Sequence, residues 1–139
     1  MYLLDTNVVS ELRRPRPDPA VVAWLRNAPD ASIHLPAVVL GELQRGVEQL
    51  RPGDPQKAAV IEAWVDQVAG SFEVVPMSGA IFREWARLVE KHRGDLVVDA
   101  MIAATARVLG LTVISRNVKH FERLGARIFS PFSSRNAPR

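Results

Sequence analysis

Five short apolar runs, separated by helical patterns, recur along the sequence and leave few architectures open. They are "YLLD" (2–5), "SIHLP" (32–36), "FEVVP" (72–76), "TVIS" (112–115) and "RIFS" (127–130). Between them, Asp18-Pro19 and Asp54-Pro55 pair an N-cap acid with a first-turn proline, which predicts helices over 20–28 and from 54 to about 69. Pro36 opens a helix to about Leu50, broken by "RPGDP". Ile81, Trp85, Leu88 and Val89 share one face of a helix over 78–92. Further helices are expected over 98–109, stopped by Gly110, and 117–124, closed by Gly125. Strands alternating with helices predict an α/β fold, with a mostly parallel central sheet of about five strands sandwiched by α-helices. In such a sheet the carboxyl ends of the strands face one crevice.

The first strand runs from Tyr2, Leu3 and Leu4 straight into Asp5, Thr6 and Asn7. A turn explains that ending, because these residues favour strand stops. A site explains it too, because Asp5 falls on the crevice edge, where Ser115, Arg116 and Asn117 follow the fourth strand. Partners for Asp5 decide between the two.

At 139 residues, 47% hydrophobic and 24% charged, the chain has the make-up of one globular domain. We expect that domain over 1–132 and a flexible tail over 133–139. There is no cysteine, so disulfides, thiolate metal sites and cysteine nucleophiles are excluded. The three histidines, His34, His92 and His120, form no HExxH pair, and His92 and His120 read as surface residues. No run suits a membrane span or a secretory leader, so a cytoplasmic location is expected. Net charge is only +3. The bases nevertheless crowd the end of the chain: Arg107, Arg116, Lys119, Arg123, Arg127, Arg135 and Arg139 follow Ala106, against the single acid Glu122. Such a segment fits an anion or nucleic-acid binder, and equally a solvated basic surface.

Two acids stand where they could meet Asp5. Glu42 lies two turns into the 37–50 helix, roughly 110° from the centre of its apolar stripe, and so at the border of the buried face. Asp99 opens the alanine-rich "DAMIAATARVLG", where the helix dipole favours an acid. That alone would make it a simple N-terminal charge, but the preceding "LVV" is expected to bury its approach and make an uncompensated acid costly. Asp95 is a weaker, more exposed candidate. With Asn117, these positions give an oxygen-only set. Clustered carboxylates repel unless a cation sits among them, and all-oxygen donors favour Mg²⁺ or Mn²⁺. Such an ion binds a phosphate oxygen and activates water.

"LLDTNVVSEL", "GEL" after the second strand, "VVDAMIAATA" and "VISRNVKHFERLG" together resemble the PIN-domain ribonucleases, and within them the VapC toxins of bacterial toxin–antitoxin pairs. The resemblance runs from Met1 to about Phe132. It implies a PIN-like fold and metal-dependent endonucleolytic cleavage of RNA with Mg²⁺ or Mn²⁺. Asp5 and Asp99 would be the main metal ligands, and Glu42 would complete the acidic cluster. Asn117 would occupy the fourth acidic position, keeping an oxygen but losing a charge. Thr6 and Ser115 would be hydroxyl contacts near the ion or the substrate phosphate, and Arg116 a phosphate contact or a structural partner. The implied partner is a cognate VapB-type antitoxin that inserts a segment into the crevice, giving a toxin–antitoxin hetero-oligomer.

A catalytically inactive RNA-binding or scaffold module is the principal alternative, and three intact acids argue against it. A phospho-acceptor domain lacks its acidic pair here, and a haloacid-type phosphatase lacks Asp-x-Asp because position 7 is Asn. Trp24, Trp64 and Trp85 read as packing residues. Because a chain this small has limited core to hide Trp64 and Trp85, a homodimer is expected. "RRPRP" (13–17) reads as a solvated loop.

Overall fold

The computed structural model describes residues 1–92, 94 and 96–133. Its strands are β1 (Tyr2–Leu4), β2 (Ile33–Pro36), β3 (Glu73–Val75), β4 (Thr112–Ile114) and β5 (Ile128–Phe129). Its helices are α1 (Thr6–Glu11), α2 (Pro19–Asn27), α3 (Ala37–Leu50), α4 (Pro55–Ser71), α5 (Gly79–Lys91), α6 (Val97–Leu109) and α7 (Val118–Arg123), and a 3₁₀ turn at Asp30–Ser32 precedes β2.

The strands form one sheet in the order β3-β2-β1-β4-β5, and every pairing is parallel. Tyr2 pairs with Ile33 on one side and Thr112 on the other, so β1 lies at the centre. The chain winds outward from β1 through β2 to β3, then returns to the other side of β1 for β4 and β5. The strand order therefore reverses between β1 and β4, the point where α/β sheets open a crevice beyond their carboxyl ends. Leu4 is paired with Ile114, so Asp5 and Ser115 leave the sheet side by side.

β1 and β4 are apolar on both faces because helices cover both. Leu3, Leu4, Val113 and Ile114 have no accessible surface and join Val8, Leu35, Val39, Ile102 and Phe121 in the main core. Ala100, Ala103, Ala104 and Ala106 are all buried, so the small side chains of α6 allow close approach to the sheet and to α5. A second, smaller cluster of Val47, Ala58 and Val65 joins α3 to α4. The caps at Asp18 and Asp54 follow the sequence signals, accepting from Ala20 N and Lys57 N, and Ser78 adds a third by accepting from Ile81 N. Gly110 ends α6 with φ 69°, a left-handed turn that a side chain resists.

Three features depart from the sequence reading. α1 begins directly after Asp5, where only the end of a strand was expected; six residues are too few to show a helical period. Val97, inside the "LVV" expected to bury the approach to Asp99, is 42% exposed. Glu11 and Asp18 are buried acids that hold the ends of the "RRPRP" loop, while the loop itself is solvent-exposed as expected. Glu11 Oε1 accepts from Asp18 N at 3.0 Å, and Asp18 Oδ2 accepts from both the N–H and the hydroxyl of Ser133. Ser133, the first residue of the expected tail, is thereby tied to the start of α2. Residues 134–139 and the weaker acidic candidate Asp95 lie outside the described residues.

Candidate active site

Asp5 is carried to the crevice by β1, and its backbone N–H still belongs to the sheet, donating to Ile114 O at 3.0 Å. Its side chain is 4% exposed. Three donors converge on the carboxylate: Thr6 N at 2.7 Å on Oδ1, and Ser115 Oγ at 2.6 Å and Asn7 Nδ2 at 3.2 Å on Oδ2. Even so, its pKa rises from 3.8 to about 6. Burial is the largest cause; the negative charges of Asp99 and then Glu42 add to it, and the Ser115 and Thr6 hydrogen bonds offset only part. Asp99 and Glu42 therefore lie within electrostatic reach of Asp5.

Glu42 sits on the exposed side of α3, where Val39 and Val47 anchor the buried side, and its Oε1 accepts from Thr6 Oγ1 at 2.6 Å. Asp99 lies in the first turn of α6, but that helix has no side-chain cap. Its Oδ2 instead meets His120 Nδ1 at 2.9 Å. Asp99 therefore does not cap the helix, while its place in the first turn keeps the favourable dipole interaction expected of an acid there. Asn117 is half-buried at the N-cap of α7, where its N–H donates to Ser115 Oγ at 2.9 Å and its side chain forms no cap.

Ser115 is fully buried, so its hydroxyl orients Asp5 rather than meeting solvent. Arg116 is engaged by structure: its Nη2 is 3.7 Å from Glu11 Oε2, and its guanidinium carbon lies 4.3 Å from the centre of the Phe132 ring. Of the two roles weighed for Arg116, this geometry matches the structural partner. The folded chain thus brings Asp5, Thr6, Glu42, Asp99, Ser115 and Asn117 to one edge of the sheet.

Two residues that serve this edge were not singled out from sequence. Asn7 donates to both Asp5 Oδ2 and Ser115 Oγ and accepts from Arg116 N at 3.1 Å, clamping β1 to β4 across the crevice. Asn two residues past a strand-ending Asp was the available signal. His120 is exposed, as expected, yet engages Asp99; its position three residues after Asn117, at the start of a short helix, was the corresponding sign.

The donor set fits a hard divalent cation by chemistry, since it is all oxygen and Asp5, its carboxyl raised to about 6 chiefly by burial and further by the charges of Asp99 and Glu42, gains from a positive charge beside it. It is not arranged as a finished ligand cage: among the described residues, no three Asp, Glu, His or Cys side chains stand close enough together to hold an ion. Glu42 is turned to Thr6 and Asp99 to His120. Also among the described residues, no helix is long and apolar enough to cross a membrane.

Residues 2–126 match the PIN domain family. The toxin FitB of Neisseria gonorrhoeae is 33% identical over 95% of this chain and 99% of its own length. The VapC ribonuclease Y4jK of Sinorhizobium fredii is 31% identical, covering 95% of this chain and 98% of that protein. Among solved structures, FitAcB from Neisseria gonorrhoeae superposes with a TM-score of 0.83 at 33% identity, over 94% of this chain and 98% of that one. FitAB bound to an IR36 DNA fragment gives 0.80 at 31% identity, over 96% of each. With the parallel sheet, the acids at its switch point and these relatives together, the chain belongs to the PIN domain family, among its VapC and FitB toxin ribonucleases.

Proposed function

We propose that this chain is the endoribonuclease toxin of a toxin–antitoxin pair, a single PIN domain over residues 1–132 acting in the cytoplasm, where its RNA substrate is. The observation that carries the reading is the buried Asp5 at the β1/β4 switch point, its carboxyl raised to about 6 beside Asp99 and Glu42. A module that only binds RNA has no use for three acids facing a polyanion, because they repel phosphate. A hydrolase has one if the acids hold a cation.

Asp5, Asp99 and Glu42 are the residues that would hold Mg²⁺ or Mn²⁺, with Asn117 as a neutral oxygen donor. The ion, when bound, supplies a positive charge for a phosphate oxygen and a more acidic water. The protein's own part is positioning. Ser115 and Asn7 fix the Oδ2 side of Asp5, while Thr6 N fixes Oδ1. Thr6 Oγ1 holds Glu42, and His120 holds Asp99, so each acid has a defined resting direction. The hydrogen bonds to Thr6 and His120 are on the solvent side of the cluster and are the ones exchanged when the acids turn to a ligand.

The partner we propose is a VapB-type antitoxin, in keeping with the FitB and VapC relatives. Purified toxin should cut end-labelled RNA at internal positions, and the protein encoded immediately upstream should stop it. RNA left intact, or trimmed only from its ends, contradicts the reading.

We also propose a homodimer. Trp64 needs no partner for cover, since it packs against both core clusters with Arg13 above its ring at 5.4 Å. Trp85 differs. It makes an edge contact with Phe82, 44% exposed, and donates from Nε1 to Val97 O. Phe82, Trp85 and Val97 form an apolar patch that a second copy would cover. Light scattering at micromolar concentration should show a dimer, reduced to monomer by Phe82→Asp; monomeric wild type contradicts it.

A further inference from the structure

At the other end of α6 from Asp99 lies a cavity of about 270 Å³ lined by Arg87, Lys91 and His92 of the α5 end, Arg107 of α6 and Arg123 of α7, with Glu84 as the lining acid. Its arginines are held in place. Glu84 takes Arg107 Nε on Oε1 and Arg87 Nη1 on Oε2, both at 3.2 Å. Arg107 Nη1 donates to Gly125 O at 2.8 Å. Gly125 itself has φ +70°, and a Cβ there would collide with that guanidinium, so the glycine both turns the chain and leaves the arginine its place. Among the described lining residues, four permanent cations, Arg87, Lys91, Arg107 and Arg123, thus face one acid, and that acid is already shared by two of them. Lys91 and Arg123 are in no ion pair with another described residue.

The cavity is connected to the catalytic edge by α7. His120, in contact with Asp99, and Arg123, on the cavity, are three residues apart on that helix and share a side, separated by about 5 Å of rise. Along α6, Arg107 follows Asp99 by eight residues, about 12 Å. A single RNA strand covers that distance in a few nucleotides at most.

We propose that this basic cavity is a second RNA-backbone site, which holds a phosphate a short way along the strand from the bond cleaved at Asp5 and Asp99. The inference rests on the ribonuclease reading. It explains how a cleft lined by three acids retains a polyanion: the acids handle one phosphate, and the affinity comes from cations a few nucleotides away. Fixed guanidinium groups suit phosphate oxygens, and Lys91 adds a point charge.

The test is RNA binding by fluorescence anisotropy in the Asp5→Asn background, so that the strand stays intact, with Lys91→Gln and Arg123→Gln combined. Affinity for single-stranded RNA of about twelve nucleotides should fall about tenfold, while a dinucleotide, whose single phosphodiester cannot occupy both sites, should change less than about twofold. The slope of log affinity against log salt should lose about 1.4 for the longer RNA, about 0.7 for each phosphate contact removed. Arg26→Gln with Lys57→Gln removes the same charge from α2 and α4 and should leave both affinities as they were. Equal losses for long and short RNA, or no loss, overturn the proposal. So does an unchanged RNA affinity with weakened binding of the upstream partner, which would make the cavity a protein-docking surface. Cleavage by the unmodified toxin is scored separately, so a failed ribonuclease reading is distinguishable from a failed second site.

Discussion

Asp5→Asn and Asp99→Asn should each lower RNA cleavage at least about a thousandfold, and Asp5→Asn should at the same time raise the melting temperature. The loss follows from removing a carboxylate that would hold the cation on which phosphate binding and water activation depend. The gain follows from Asp5 being stabilised poorly as an anion. Its carboxyl titrates near 6 in the folded chain against 3.8 when unfolded. Below about pH 4 both states are protonated and Asp5 costs nothing. As pH rises from there to about 6, the unfolded chain releases the proton while the folded chain keeps it, and stability falls. Above about 6 the full cost stands, about 3 kcal/mol at 1.36 kcal/mol per unit. Asparagine removes that cost but places an amide opposite Asn7 Nδ2 or Ser115 Oγ, and the mismatch returns about 1–2 kcal/mol. The net expectation is a rise of about 3–8 °C at pH 7.5, shrinking as pH falls and turning to a drop near pH 4, where only the mismatch remains. Calorimetric melting across that range checks it. A lower melting point for Asp5→Asn at pH 7.5 would mean that Asp5 serves the fold and not the chemistry.

Neutralising the same edge should also weaken the antitoxin. With no cation bound, Asp5, Glu42 and Asp99 form a concentrated negative field, and an arginine inserted from a partner pairs with carboxylates in bidentate fashion. Arg116 and Lys119 follow β4 beside the acids, so the insertion is expected from the Glu42 side. Arg107, grouped with them on sequence grounds, lies about 12 Å along α6 and plays no part there. Removing one partner of a desolvated charge pair costs about 2–5 kcal/mol. Glu42→Gln or Asp99→Asn should therefore weaken the complex between about thirtyfold and a few thousandfold, and excess Mg²⁺ should compete with the wild-type complex. Titration calorimetry of the toxin with its upstream partner reads both. An affinity that ignores both substitutions would place the inhibitory contact elsewhere and make inhibition steric.

How much of this the sequence revealed depends on the range of each interaction. β1 and β4 were legible because a parallel strand buried on both faces is a short apolar run, α2 and α4 because their caps are local, and α5 because its apolar residues recur on one face. Asp5 and Asp99 were legible because each follows an element end whose side of the sheet is dictated by winding. Asn7 and Ser115 were harder. Their bond joins residues 108 positions apart, and only the β1–β4 pairing makes them neighbours. Glu11 was not singled out in the sequence; its partners are Asp18 N and Arg116, neither of which a local pattern reveals. Asp99 shows the opposite case. The reason expected for its cost, a buried "LVV", is absent at Val97, while His120 and the charge on Asp5 supply the coupling instead.

The central claim is that these acids act through a divalent cation. Its most direct test is cleavage of a labelled RNA by the purified toxin in Mg²⁺ or Mn²⁺, in EDTA, and in EDTA followed by excess metal. We expect cleavage with either ion, none in chelator, full recovery on adding metal back, and no recovery at any metal concentration for Asp5→Asn. Cleavage that persists undiminished in EDTA would contradict the account.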